Sequence, residues 1–360
     1  AAAARYGLRF DAARVRVLCG DASSPRFGLS AALWRELGED LAAVFHSAGV
    51  VNMVWPYERL RAGNLVALGE ALRLANEGAP KALHHASTLS VFVSAEPAAP
   101  RPREDDALEG TTAVYGGYAQ SKWAAERLLR LAAVGPAPLA CYRLGLLTGA
   151  AAVGSGVGAP ADQLSLVVAG LARLGRAPRD RAGLRFDVTP VDYAAAALAH
   201  IARAGAPSGP GAVATYHLAS DEGASADALI EALRAEGVAI EDVEADEWHA
   251  LGRRQLDGGP SVERAPDGWT PDGRAPDGRA PNESTPDEAV AAALLAFTRP
   301  ASPADHARRR PLELFPSNGL DFDTTRARGA LAGSGIACPA AGADLLRRYV
   351  RLALRGGGAA

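Results

Sequence analysis

Tyr118 and Lys122 stand four residues apart in Tyr118-Ala119-Gln120-Ser121-Lys122. The run that follows, Trp123–Ala132 (WAAERLLRLA), is rich in Ala, Leu, Arg and Glu and has no breaker, so a helix is predicted from about Tyr118. On such a helix the phenol and the ammonium share one face, about one 5.4 Å turn apart. A cation there favours the phenolate and is expected to lower the tyrosine pKa. The pair would then supply a proton near neutral pH, as carbonyl reduction requires. The chain has eight tyrosines but only two lysines, Lys81 and Lys122, so the spacing is uncommon by chance; a plain surface pair on an amphipathic helix is the competing reading.

The elements around the pair must position it. Arg14–Leu18 (RVRVL) reads as a short strand ending in Cys19-Gly20-Asp21, which would present a carboxylate at a sheet edge. Ser30 is the expected N-cap of a helix, Ala31–Leu37. Ala43–His46 is the next strand and runs into Ser47-Ala48-Gly49, small residues that let backbone approach a flat ligand. An apolar, aromatic loop follows, Val50–Tyr57, and then an amphipathic helix, Asn64–Asn76, with Leu65, Leu68, Leu72 and Ala75 on one stripe. Ala82–Ala86 leads to Ser87-Thr88-Leu89-Ser90-Val91-Phe92, a strand ending in hydroxyls that either bond a substrate carbonyl or satisfy the loop backbone.

Ala95–Gly110, with its prolines and acids, reads as a surface loop. Beyond the reactive helix, Leu139–Leu147 (LACYRLGLL) has the style of a central parallel strand. Ala150–Gly158 reads as a mobile loop of small residues, Leu164–Leu174 as an apolar helix, Phe186–Tyr193 as the lead into a helix at Ala194–Ala204, and Thr215–Leu218 as a last strand. Strand and helix alternate from Arg14 to Leu218, which argues an α/β fold: a Rossmann-like, doubly wound parallel sheet. His46, His84 and His85 have no ligand spacing and read as packing or loop residues, so no metal is expected.

After Ser220 the pattern changes. Ser225 caps a predicted helix to Ala235. Glu263–Asp287 repeats a five-residue unit (APDGW, TPDGR, APDGR) and reads as a disordered insert. Glu288–Phe297, Phe322–Leu331 and a strongly amphipathic Ala343–Leu354 complete the chain. Two domains are expected: residues 1–219, binding a dinucleotide, and residues 220–360, a small helical domain facing substrate or carrier, with the insert at 263–287.

Bulk composition narrows the function classes. Length is 360 residues, with 48% hydrophobic residues, which is ample for a core. A net charge of −3 gives no basic field for nucleic acid. No apolar run of membrane-spanning length occurs. Cys19, Cys141 and Cys338 are isolated and read as buried thiols in a reducing cytoplasm. The chain begins Ala-Ala-Ala-Ala and its only methionine is Met53, so residue 1 is expected to lie inside a longer polypeptide.

The ordered series Gly20-Asp21, FHSAG, Asn64, STLSVF, YAQSK, YRLG and TPVDY resembles the extended short-chain dehydrogenase/reductases. VVNMVWPYERLRAGN, HHASTLSVF and the late FDTTRARGALAGSGIACP narrow the resemblance to the thioester reductase domains of nonribosomal peptide and polyketide synthetases and carboxylic acid reductases. Together the matches span most of the chain outside the repeat. The resemblance implies hydride transfer from NADPH to an acyl thioester held on a carrier protein by phosphopantetheine, with release of an aldehyde or alcohol. It places Thr88 and Tyr118 at the carbonyl oxygen, and Lys122 at the nicotinamide ribose. It assigns Asp21 to the adenine side, Ser47, Ala48, Gly49 and Asn64 to the cofactor groove, and Leu144, Gly145 and Leu147 to the nicotinamide.

Two departures accompany it. Leu144 stands where the family often has proline. No Gly-x-Gly-x-x-Gly occurs; Gly154-x-Gly156-x-Gly158 has the wrong spacing. The expected domain therefore lacks its first βαβ unit, which normally takes about 30 residues or more. Two alternatives stand beside the reductase: another extended reductase or epimerase, and a non-catalytic fragment that retains the fold.

Overall fold

The computed structural model describes residues 11–52, 55–96, 101–114, 116–152, 162–205, 211–257, 290, 293–294, 297 and 321–356. Its centre is a four-stranded parallel sheet of β1 (Ala43–His46), β2 (Ala82–Thr88), β3 (Leu139–Leu144) and β4 (Val213–Leu218), in that spatial order. Register aligns His46 with His85, and sets Thr88 level with Leu144 and Leu144 level with Leu218. The strand ends that carry the candidate residues therefore form one continuous edge.

Helices cover both faces, as the alternating pattern requires. On one side lie α1 (Ala31–Asp40), α2 (Tyr57–Arg61), α3 (Ala67–Asn76) and α4 (Gly117–Ala132). Ser30 accepts the Leu33 N–H and so caps α1. Leu68, Leu72 and Ala75 of α3 meet Leu83, Leu139 and Ala125 in a buried layer. Ala62–Val66, between α2 and α3, is a π-helical turn with Asn64 buried inside it, a distortion common at functional sites.

Further along come α5 (Gln163–Leu174), α6 (Val191–Ala204), α7 (Ala226–Ala235), α8 (Ala245–Asp257), α9 (Thr325–Leu331) and α10 (Ala343–Gly356). On the opposite sheet face, Ala197 and Ile201 of α6 and Ala327 and Leu331 of α9 cover Ala140, Tyr142 and Leu218. A second core joins α5, α7 and α10 with Phe186, Trp248, Val290 and Phe297, so it draws on residues from both sides of position 220. Short strand pairs stiffen it: Ala224–Ser225 runs antiparallel to Arg185–Phe186, and Glu241–Val243 parallel to Arg176–Pro178.

Three expectations need correction. Arg14–Leu18 is not a strand: it pairs with no neighbour among the described residues, and Val15 and Val17 are exposed. A parallel strand exists only through a partner's hydrogen bonds, and β1, with exposed Phe45, is the edge of the described sheet. Second, the Ala95–Gly110 segment is not wholly superficial. Glu104 is buried and accepts the N–H groups of His217 (2.9 Å), Arg326 (2.5 Å) and Ala327 (2.9 Å), so it bridges β4 to the start of α9. Third, Cys141 is buried but Cys19 is exposed. Gly154–Gly158, the repeat 263–287 and most of 288–297 lie outside the described residues. No helix among the described residues is long and apolar enough to cross a membrane.

Candidate active site

The α4 helix starts where Gly116 turns the chain with φ +73°, a conformation that favours glycine. Gly117 packs so closely on the Trp55–Tyr57 backbone that a Cβ there would sit 2.5 Å from Pro56 C and Tyr57 N. This contact fixes the start of the helix; Tyr118 is half-buried there, and Lys122, one turn on, is buried.

Thr88 ends β2 and opens a 3₁₀ turn, Leu89–Phe92, accepting the Ser90 N–H at 3.2 Å. Its hydroxyl also faces the Tyr118 phenol closely enough to favour the ionised form. Lys122 Nζ donates to the Ala86 carbonyl at 3.2 Å. Asn64 joins the remaining parts: its Oδ1 accepts Val50 N–H at 2.7 Å, and its Nδ2 donates to Val50 O (3.1 Å) and Ser121 Oγ (2.8 Å). The turn after β1 is thereby tied to α4.

Thr88, Tyr118, Lys122, Asn64 and Gly49 are brought together. Leu144 and Gly145 lie beside Thr88 across one strand spacing, and Leu147 follows in a two-residue strand paired with Thr189. Ser47 and Ala48 are exposed on the turn leading to Gly49. Asp21 stands apart. Its exposed carboxylate accepts Ser23 N–H (2.9 Å), Ser23 Oγ–H (2.6 Å) and Ser24 Oγ–H (2.8 Å), and these bonds lower its pKa.

The electrostatics overturn one expectation. Tyr118 is pushed up to about 12, because burial outweighs the opposing influence of the Thr88 hydroxyl. Lys122 faces the Ala86 carbonyl, and burial lowers it to about 8, against the opposing pull of Glu126. The resting tyrosine is thus a firmly protonated donor, and the ammonium beneath it is close to losing its proton.

Sequence reasoning missed a polar layer below the pair. Glu126 binds Arg143 through Nε (3.0 Å) and Nη2 (2.8 Å) to Oε2, and accepts Ser87 Oγ–H at 2.5 Å. His46 and His85 face each other with Nδ1 atoms 3.0 Å apart. Burial first and Lys122 second hold His46 down to about 4 and His85 well below its ordinary value, so both are neutral. The available signal for Glu126 was the spacing itself, one more step of four beyond Lys122.

The residues present fit the nicotinamide-ribose end of a dinucleotide. Gly49 leaves open the place where a Cβ would lie 3.2 Å from Lys122 Nζ and 3.2 Å from Asn64 Oδ1. Among the described residues no group of three or more His, Cys, Asp or Glu could hold a metal ion.

An NAD-binding family described as male sterility protein matches residues 3–198. The chain is 33% identical to a component of the linear gramicidin synthase of Brevibacillus parabrevis over 239 residues, 66% of this chain and 4% of that protein. It is 32% identical to glycine betaine reductase ATRR of Emericella nidulans over 257 residues, 69% of this chain and 20% of that protein. The chain thus spans a small part of the curated relatives it matches. The crystal structure of the terminal R domain from the myxalamid PKS-NRPS pathway superposes with a TM-score of 0.74 at 27% identity, covering 98% of this chain and 79% of that one. Together with the parallel sheet and the Thr88–Tyr118–Lys122 cluster, these matches make the chain a member of the NAD-binding male sterility protein family, of the thioester reductase type.

Proposed function

We propose that this chain carries the reductase centre of an NADPH-dependent thioester reductase, which releases a carrier-bound acyl group as an aldehyde or alcohol. The convergence of Thr88, at the end of β2, on the Tyr118 phenol beside the buried Lys122, whose Nζ donates to Ala86 O on the same strand, is the observation that supports it most directly. NADPH, when bound, supplies the hydride. Tyr118 and Thr88 hydrogen-bond the thioester carbonyl oxygen, and Tyr118 gives it a proton as negative charge develops there. Lys122 and Asn64 hold the ribose side and the turn at Gly49; Ser47 and Ala48 line the groove, and Leu144, Gly145 and Leu147 flank the nicotinamide. The resulting hemithioacetal collapses to an aldehyde and the free phosphopantetheine thiol. The carrier protein bearing that arm is the partner, and residues 220–360 are the part that faces it.

The test is NADPH consumption, followed by absorbance, with an acyl-pantetheine thioester. Tyr118→Phe should lower turnover by at least about 100-fold and leave the NADPH-induced rise in melting temperature intact. Full turnover in that variant refutes the donor role; a larger melting shift with NADH than with NADPH refutes the cofactor assignment.

A second reading, a non-catalytic chain that keeps the fold, draws on one observation. Among the described residues the outer edge of β1 has no neighbouring strand, and Asp21 is engaged by its own turn. No melting shift with either dinucleotide would favour it.

A further inference from the structure

Glu126 continues the face of α4 that carries Tyr118 and Lys122, each one turn from the next, and its surroundings are unlike those of a surface carboxylate. It is 1% exposed, and Arg143, its partner, is 0% exposed. Its Oε1 accepts Ser87 Oγ–H at 2.5 Å, and Ser87 immediately precedes Thr88 on β2. Arg143 lies on β3, is held by both oxygens of Glu126, and stacks over Phe92 at 4.6 Å. Its Nη1 is 3.2 Å from His217 Nε2. His217 Nδ1 lies 2.8 Å from the Asp323 carbonyl, which only accepts, so Nδ1 carries the proton and bare Nε2 accepts from Arg143. The clamp therefore runs from β2 through α4 and β3 to β4.

The titratable groups whose charge bears on Lys122 come from four elements. They are Glu126 on α4, Cys141 on β3, His85 on β2 and His46 on β1. The histidines are neutral and burial raises the Cys141 thiol, so it is neutral too. Glu126 is then the charged group in this set whose sign favours an ammonium.

We propose that Glu126 is a positioning residue of the reductase centre: its carboxylate joins the strand bearing Thr88 to the helix bearing Tyr118, and sustains the charge of Lys122 one turn away. The inference rests on the thioester reductase reading for its catalytic consequence. Its electrostatic content can be read without turnover. A plain structural pair would hold the fold without setting when Lys122 loses its proton.

The chain has only two lysines, so ¹³C-lysine labelling gives two side-chain signals, assigned with Lys81→Arg. Both are titrated in the full chain. In Glu126→Gln the Lys122 midpoint should fall by roughly one pH unit, while Lys81 stays where it was. That variant leaves Arg143 buried without a counter-ion, which threatens folding. Glu126→Gln/Arg143→Met removes the whole pair, a replacement buried pairs commonly tolerate, and the Lys122 midpoint should fall there as well. In both variants the high-pH limb of kcat should move down with the midpoint. A Lys122 midpoint unmoved in the double variant overturns the proposal; so does a midpoint that moves while the limb of kcat stays fixed. Should the unsubstituted chain consume no NADPH, the proposed function fails, and the lysine titration still decides what Glu126 does.

Discussion

Gly117→Ala is a one-carbon change that probes how α4 is aimed. The added Cβ would meet the Trp55 carbonyl oxygen, and would lie 2.5 Å from Pro56 C and 2.5 Å from Tyr57 N. Carbon atoms rest at about 3.5–4.0 Å from their neighbours, so helix and loop must separate by roughly 1 Å. All three obstructing atoms are backbone, and no flexible side chain can swing aside. Overpacking of this kind costs about 1–3 kcal/mol. The movement also has a direction. It displaces the start of α4, which carries Tyr118, while Thr88 stays on β2 within the sheet. A misplacement of about 1 Å between groups that act together costs on the order of 100-fold in rate. The assays are a thermal melt and kcat at saturating NADPH and thioester. We expect a lower melting temperature and a kcat loss approaching that of Tyr118→Phe. Parental kcat with a parental melting temperature would refute the packing account of how the helix is aimed.

Two further substitutions probe other parts of the site. Lys122 is held near 8 in the folded chain against an ordinary value of 10.5. Below about pH 8 both folded and unfolded chains carry the proton, and the folded chain bears the full burial cost. Between about 8 and 10.5 the folded chain sheds the proton while the unfolded chain keeps it, so this contribution to stability rises with pH. Lys122→Met should therefore be more stable than its parent at pH 7, by on the order of 3 kcal/mol, with a gap that narrows as pH climbs through that window. Urea melts at pH 7 and pH 9.5 measure it, and a gap independent of pH would contradict the burial of a charged amine. Tyr349 in α10 donates to the Gly149 carbonyl at 2.5 Å and accepts from Thr148 Oγ1 at 3.3 Å. Tyr349→Phe strands that carbonyl at a cost of about 1–3 kcal/mol and should speed amide hydrogen exchange across 147–152; unchanged exchange there would show that α10 does not hold this segment.

Much of this architecture is legible in local pattern. The limits of β1, Ser30 as a cap, the buried stripe of α3 and the run of α4 follow from propensity and periodicity, because each depends on residues a few positions apart. Arg14–Leu18 misleads for the same reason: its composition suits a strand, but a strand needs a neighbour that composition does not supply. Glu104 reads as surface because its loop is acidic and proline-rich, yet three backbone N–H groups far away in the chain draw it inside.

For the candidate site, the amino-acid order alone determined that a phenol and an amine lie one helical turn apart, since helix geometry converts a spacing of four into proximity. It also put Thr88 in a strand with hydroxyls toward its end, but the structure alone stops β2 at Thr88 and folds Leu89–Phe92 into a 3₁₀ turn. Only the tertiary structure decided that Thr88 is brought up to the Tyr118 phenol, that Asn64 ties the turn after β1 to α4, and that Glu126, Arg143 and Ser87 form one buried clamp. It likewise decided the sign of the tyrosine's shift. A charge one turn away is a local quantity that spacing reveals, whereas loss of hydration depends on everything packed around the phenol, and that is set by segments distant in the chain.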